Sequence, residues 1–135
     1  MLKKTINYVD YNGTERNEDF YFNLNKAEVM EMEMSTKGGL YEMIERIVKA
    51  QDHPALIKVF KELILKAYGE KSPDGKHFNK SDAIREAFAS TEAYSNLFME
   101  LATDADAASK FVNAIVPADM EKAVNKSANG PKALN

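Results

Sequence analysis

The chain has 135 residues, 44% hydrophobic and 29% charged, with few Gly or Pro and no Cys, the make-up of one ordinary globular domain with a core of its own. Without cysteine there are no disulfides, thiolate metal sites or cysteine nucleophile, and a net charge of -3 with acids and bases intermixed leaves no basic stripe for nucleic acid. No apolar run approaches the roughly 20 residues of a membrane span, and the opening MLKKTINYVDY turns polar too soon for a secretory leader.

Residues 2–24 read as a β-hairpin about DYNGTE, where Asn12-Gly13 is the turn signal. A two-residue loop would set Ile6 opposite Asp19 and mix apolar with charged on both faces. A three-residue loop with Gly13 in the left-handed conformation pairs Asp10 with Thr14 instead, and then Ile6, Tyr8, Phe20 and Phe22 share a face, so this register is expected.

In DFYFNLNKAEVMEMEMS the alternation continues past Phe22 as Met30, Met32 and Met34, but a strand does not. Asn25 is a good N-cap, Glu28 completes a capping box, and Leu24 and Val29 stand where a hydrophobic staple places them. Glu and Met favour helix over strand, so a helix is expected from Lys26, ended by Gly38-Gly39. A second helix over 40–50 carries Leu40, Met43, Ile44, Ile47 and Val48 at helical spacing. A third, over 54–68, opens with Pro54 in its first turn and has so wide an apolar face that it should be central, with Gly69 closing it.

EKSPDGKHFNK reads as a polar loop with a Pro-Asp-Gly turn. Short helices follow over 82–89, 92–102 and 104–116, the last capped by Thr103 with Asp106 and stopped by Pro117. A weakly apolar helix over 118–125 and a flexible tail over 126–135 complete the chain. The expected fold is mainly α: a single domain over 1–125 in which an N-terminal hairpin precedes a compact bundle of about six short helices.

Chemistry is harder to find. His53 and His77 stand far apart in polar loops with no further ligands at workable spacing. EKSPDGKHFNKS places Glu70, Ser72, Asp74 and Gly75 like a calcium loop, yet Ser81 stands where a bidentate Glu belongs. Glu31 with Glu33, and Asp104 with Asp106, are two apart on helices and diverge, and no Gly-rich phosphate loop or Ser, His and Asp set is present. No catalytic, cofactor or metal site is expected, and an enzyme is not.

An apolar surplus remains. Met30, Met32 and Met34 on one short helix offer a soft, adaptable face for a partner, and Tyr94 and Phe98 are further partner-binding candidates, as a groove for a partner helix. Met43 and Met99 are expected in the core. The surplus also points to self-association.

Several strings together, FYFNLNKAEVMEME, GGLYEMIERIVKA, FKELILKAYGEKSPDGKHF and TEAYSNLFMELATD, resemble the tail assembly chaperones encoded in the tail modules of tailed phages and prophages of Gram-positive bacteria. The likeness covers about residues 1–120. It implies a non-enzymatic protein of the host cytoplasm that binds the helical, aggregation-prone tape measure protein and assists tail tube polymerisation. The major tail tube protein is a further partner on this reading, and a longer frameshifted form is common in such families. The alternative is a structural head-tail connector or minor tail protein retained in the virion, its hairpin pairing edge to edge between subunits. A host-directed regulator is a third reading.

Overall fold

The structure, a computed structural model, describes residues 1–35, 42, 45 and 53–117. Strands β1 (Leu2–Val9) and β2 (Glu15–Phe22) form the expected hairpin, with Tyr8 opposite Arg16, Ile6 opposite Glu18 and Leu2 opposite Phe22. Its turn is the three-residue one. The Asp10 amide donates to the Thr14 carbonyl at 2.9 Å, Gly13 takes φ +81°, and the Asp10 carboxylate accepts from the amides of Asn12 and Thr14. Even-numbered residues therefore point to the core side, where Ile6 and Phe22 are buried, while Lys3, Thr5 and Asn7 stay exposed.

The chain then becomes helical where its capping residues require it. Helix α1 spans Lys26–Ser35 and is followed, in the described residues, by α2 (His53–Ala67), strands β3 (Tyr68–Lys71) and β4 (Phe78–Asn79), α3 (Asp82–Ala89), α4 (Glu92–Thr103) and α5 (Ala105–Ile115). At the crossing from β2 to α1, the Asn23 amide donates to the last carbonyl of α2, Ala67, and the Leu24 amide to the last carbonyl of α5, Ile115, both at 2.8 Å. Two helix ends that would otherwise leave orphan acceptors are thus closed by one short connection.

The expectation of a mainly α fold with a hairpin and a bundle of about six helices is corrected here. The strands form one antiparallel sheet in the order β1-β2-β3-β4, and the five described helices pack with it. The stretch expected as a polar loop carries β3 and β4. Tyr21 pairs with Gly69 and Phe22 with Tyr68, and the outer hairpin pairs Lys71 with Phe78. Strands of four and two residues are too short to show a period, so β3 is defined by its pairing with the distant β2 and β4 by its pairing with β3.

Gly69 has a different role from the helix stop expected of it. A Cβ there would lie 2.7 Å from Phe78 Cε2 and 3.0 Å from the Asn79 carbonyl oxygen, so only glycine lets β4 close over β3. The cap of α5 also moves by one residue: Asp104 Oδ1 accepts from the amides of Asp106 and Ala107, while the Thr103 hydroxyl donates back to the Met99 carbonyl.

The core centres on aromatic rings. Phe22, with no exposed surface, has ring centroids of Tyr68, Phe88 and Phe111 within 5.2 to 5.7 Å, and Tyr68 stacks on Phe88 at 4.0 Å. Leu63 and Ile64 from α2, Leu97 from α4 and Val112 and Ile115 from α5 complete it. The helix expected over 40–50, with Met43, lies outside the described residues except for Glu42 and Glu45, and so do the expected helix over 118–125 and tail over 126–135.

Candidate protein-interaction surface

Helix α1 is the element on which the sequence concentrates its methionines, and it is held in place from three directions. At its start the Asn25 amide donates to Glu28 Oε1 at 2.9 Å and the Glu28 amide to Asn25 Oδ1 at 2.8 Å, the reciprocal capping box. On its inner side Val29 and Met32 are buried, with Leu24 fully buried just before the helix.

From α3's leading loop, Lys80 reaches Glu28 Oε2 at 2.6 Å and the Asn23 carbonyl at 2.7 Å, with its ammonium 5.5 Å from the centre of the Phe78 ring. Burial holds the Lys80 ammonium below its ordinary pKa, and the Glu28 carboxylate opposes that shift. One carboxylate therefore serves both the helix cap and a largely buried cation.

The three methionines part company at this helix. Met30 is 65% and Met34 84% exposed, whereas Met32 is 2% exposed and belongs to the core. Residues four apart on a helix lie side by side and a residue two away lies across it, so the alternating spelling sends Met30 and Met34 to solvent and Met32 inward. The exposed pair is an apolar strip on an anchored helix.

Tyr94 and Phe98 stand elsewhere. Both are half-buried on α4 and packed against the core, Tyr94 at 5.6 Å from Phe88 and 6.0 Å from Phe98, and Phe98 at 6.5 Å from Phe60. Burial raises the Tyr94 phenol above its ordinary pKa. Tyr94 and Phe98 are thus part-buried side chains of α4, whereas Met30 and Met34 are exposed side chains of α1.

Met99, expected in the core, is 55% exposed. The signal was available in its phase, because Ala93, Leu97 and Leu101 mark the buried side of α4 and Met99 falls two residues from either leucine. Ile57 on α2 and Tyr11 in the hairpin turn are also exposed apolar groups that the periodicity did not single out.

Polar chemistry stays local. The Asp74 carboxylate accepts from the Ser72 hydroxyl and the Lys76 amide, which hold it below the usual carboxylate range, and Gly75 takes φ +77° to make the turn. His77 is exposed in the same turn, and His53 opens α2. Among the described residues no group of three His, Asp or Glu could hold a metal ion, and no helix is long and apolar enough to cross a membrane.

Compared with known proteins, residues 1–133 match the model of a family described as phage tail assembly chaperone. No curated protein and no solved structure matches the chain.

Proposed function

The chain belongs to the phage tail assembly chaperone family, and on that premise we propose that it holds the tape measure protein in the host cytoplasm, without catalysis, while the tail tube polymerises around it. The observation that supports this reading is the strip formed by Met30 and Met34, exposed on a helix whose other side is buried and whose start is capped. A long helical client with apolar stripes has to be shielded and then released. Many shallow methionine contacts suit that task, since each buries area at about 25 cal/mol per Å² without demanding a matched shape. Anchoring the helix lowers the ordering cost of each encounter.

The test is co-expression with the tape measure protein encoded beside the chain. The wild-type chain should keep the client soluble and co-purify with it, and the Met30→Ser, Met34→Ser double variant should fold normally yet lose the complex. A double variant that co-purifies as well as wild type removes α1 from the reading. A chain that recovers no client at all removes the reading itself. Protein analysis of purified particles checks the connector alternative, because a chaperone is absent from them and a connector is present.

A further inference from the structure

The first strand of the sheet has a free side whose chemistry can be worked out group by group. In an antiparallel ladder, bonded and non-bonded pairs alternate. The Asp10 amide bonds Thr14, so the bonded pairs continue through Tyr8, Ile6, Lys4 and Leu2, and the amides and carbonyls of Lys3, Thr5, Asn7 and Val9 turn away from β2. Helix α4 confirms this direction. The Asn96 side-chain amide donates to the Asn7 carbonyl at 3.2 Å, and Glu100, one turn on, pairs with Lys4 at 2.9 Å. Among the described residues, that single carbonyl is the one outward backbone group of β1 that has a partner.

The same side is apolar at intervals. Met1 and Val9 at the two ends of β1, and Met99 beside the Asn96 and Glu100 contacts on α4, are each more than half exposed. The other sheet edge, β4, is only two residues long. Short edges are how sheets avoid unwanted pairing, and an eight-residue edge with apolar flanks has the opposite character.

We propose that β1 pairs with β1 of a second copy of this chain, antiparallel about a two-fold axis through Ile6. The charges on the strand select this partner and this direction. Lys3 and Lys4 stand at one end and Tyr8 and Val9 at the other, so the antiparallel arrangement sets Lys3 opposite Val9 and Lys4 opposite Tyr8 and keeps the cations of the two copies apart. A parallel arrangement would set lysine against lysine. Thr5 meets Asn7 of the second copy, and every outward amide and carbonyl of the four residues is then satisfied. The Asn7 carbonyl has a second lone pair for the incoming Thr5 amide and can keep its bond to Asn96. The two sheets become one, with an isologous interface. This inference does not depend on the reading of α1.

Sedimentation equilibrium and amide hydrogen exchange, both followed against protein concentration, test it. The expected result is a doubling of mass on concentration, with the amides of Lys3, Thr5, Asn7 and Val9 becoming protected over the same range. Thr5→Pro and Thr5→Ala both lose the hydroxyl bond to the Asp19 carboxylate, and only the proline also loses the outward N–H, so Thr5→Pro should be folded and monomeric, whereas Thr5→Ala should still dimerise. A wild-type chain that stays monomeric at millimolar concentration with fast edge amides overturns the proposal, as does a folded Thr5→Pro that still dimerises. Protection that appears only on adding the tape measure protein also overturns it and assigns the edge to an extended client segment. If Thr5→Pro fails to fold, the wild-type exchange data alone decide.

Discussion

The double use of Glu28 gives a prediction whose size follows from the geometry. Its Oε1 closes the capping box, and its Oε2 neutralises Lys80, whose side chain is 10% exposed while that of Glu28 is 24% exposed. Removing one partner of a fully buried pair costs about 3 to 5 kcal/mol. This pair is open on the glutamate side, so Glu28→Gln, which keeps a cap acceptor but strands the ammonium, should cost about 2 kcal/mol. Glu28→Ala also loses the cap and should cost about 3 kcal/mol. Lys80→Met takes away the more buried charge and leaves the more exposed one, so it should cost only about 1 kcal/mol, and adding it to Glu28→Gln should recover part of the loss.

Urea unfolding followed by circular dichroism measures the series, provided the m-value is unchanged. A second readout comes from pH. Lys80 is held below its ordinary value of 10.5 mainly by burial. Between its folded pKa and that value the unfolded chain binds more protons, so its contribution rises with pH across the window. Without the Glu28 charge the window extends downward, and Glu28→Gln should close part of its deficit to wild type as pH rises toward 10.5. If Lys80→Met proves costlier than Glu28→Gln, or Glu28→Gln is neutral, the assignment of Lys80 as the buried, dependent partner is wrong.

Two further outcomes follow from packing. Gly69→Ala forces a methyl against the Phe78 ring and the Asn79 carbonyl and should cost about 1 to 3 kcal/mol in thermal or urea unfolding, with Phe78→Leu restoring part of it; an unchanged midpoint would mean that β4 is not closed over β3. Met32→Ala should cost about 2 to 4 kcal/mol, whereas Met30→Ser and Met34→Ser should each stay within about 0.5 kcal/mol, so equal losses at all three would contradict the division of α1 into a buried and an open side.

What the sequence revealed was whatever is set by neighbours in the chain. The hairpin register follows from Asn12-Gly13 and the left-handed Gly13, and the switch from strand to helix follows from Asn25 and Glu28, which bond each other as their spacing suggests. The helices over 82–89, 92–102 and 104–116 form within a residue of their expected bounds. What stayed hidden depends on distant partners. Tyr68 and Gly69 are strand residues because Phe22 and Tyr21 lie beside them, and a polar six-residue turn masks the second strand of that hairpin. For the candidate surface, two of the three α1 methionines reach solvent, but the alternating spelling concealed that Met32 goes inward, and Met99 was misplaced by residue type where its phase was the better guide.

The bonds from Asn23 and Leu24 to Ala67 and Ile115 also bear on the order of events during synthesis. The hairpin leaves the ribosome before α5, so the connection behind it finds its last acceptor only once residue 115 has emerged. Until then the inward side of the hairpin, with Ile6, Phe20 and Phe22, has no α5 to rest against. Completion of the fold is therefore a long-range event that joins residues 23 and 24 to residues 67 and 115, and folding slows accordingly relative to a purely local helix bundle.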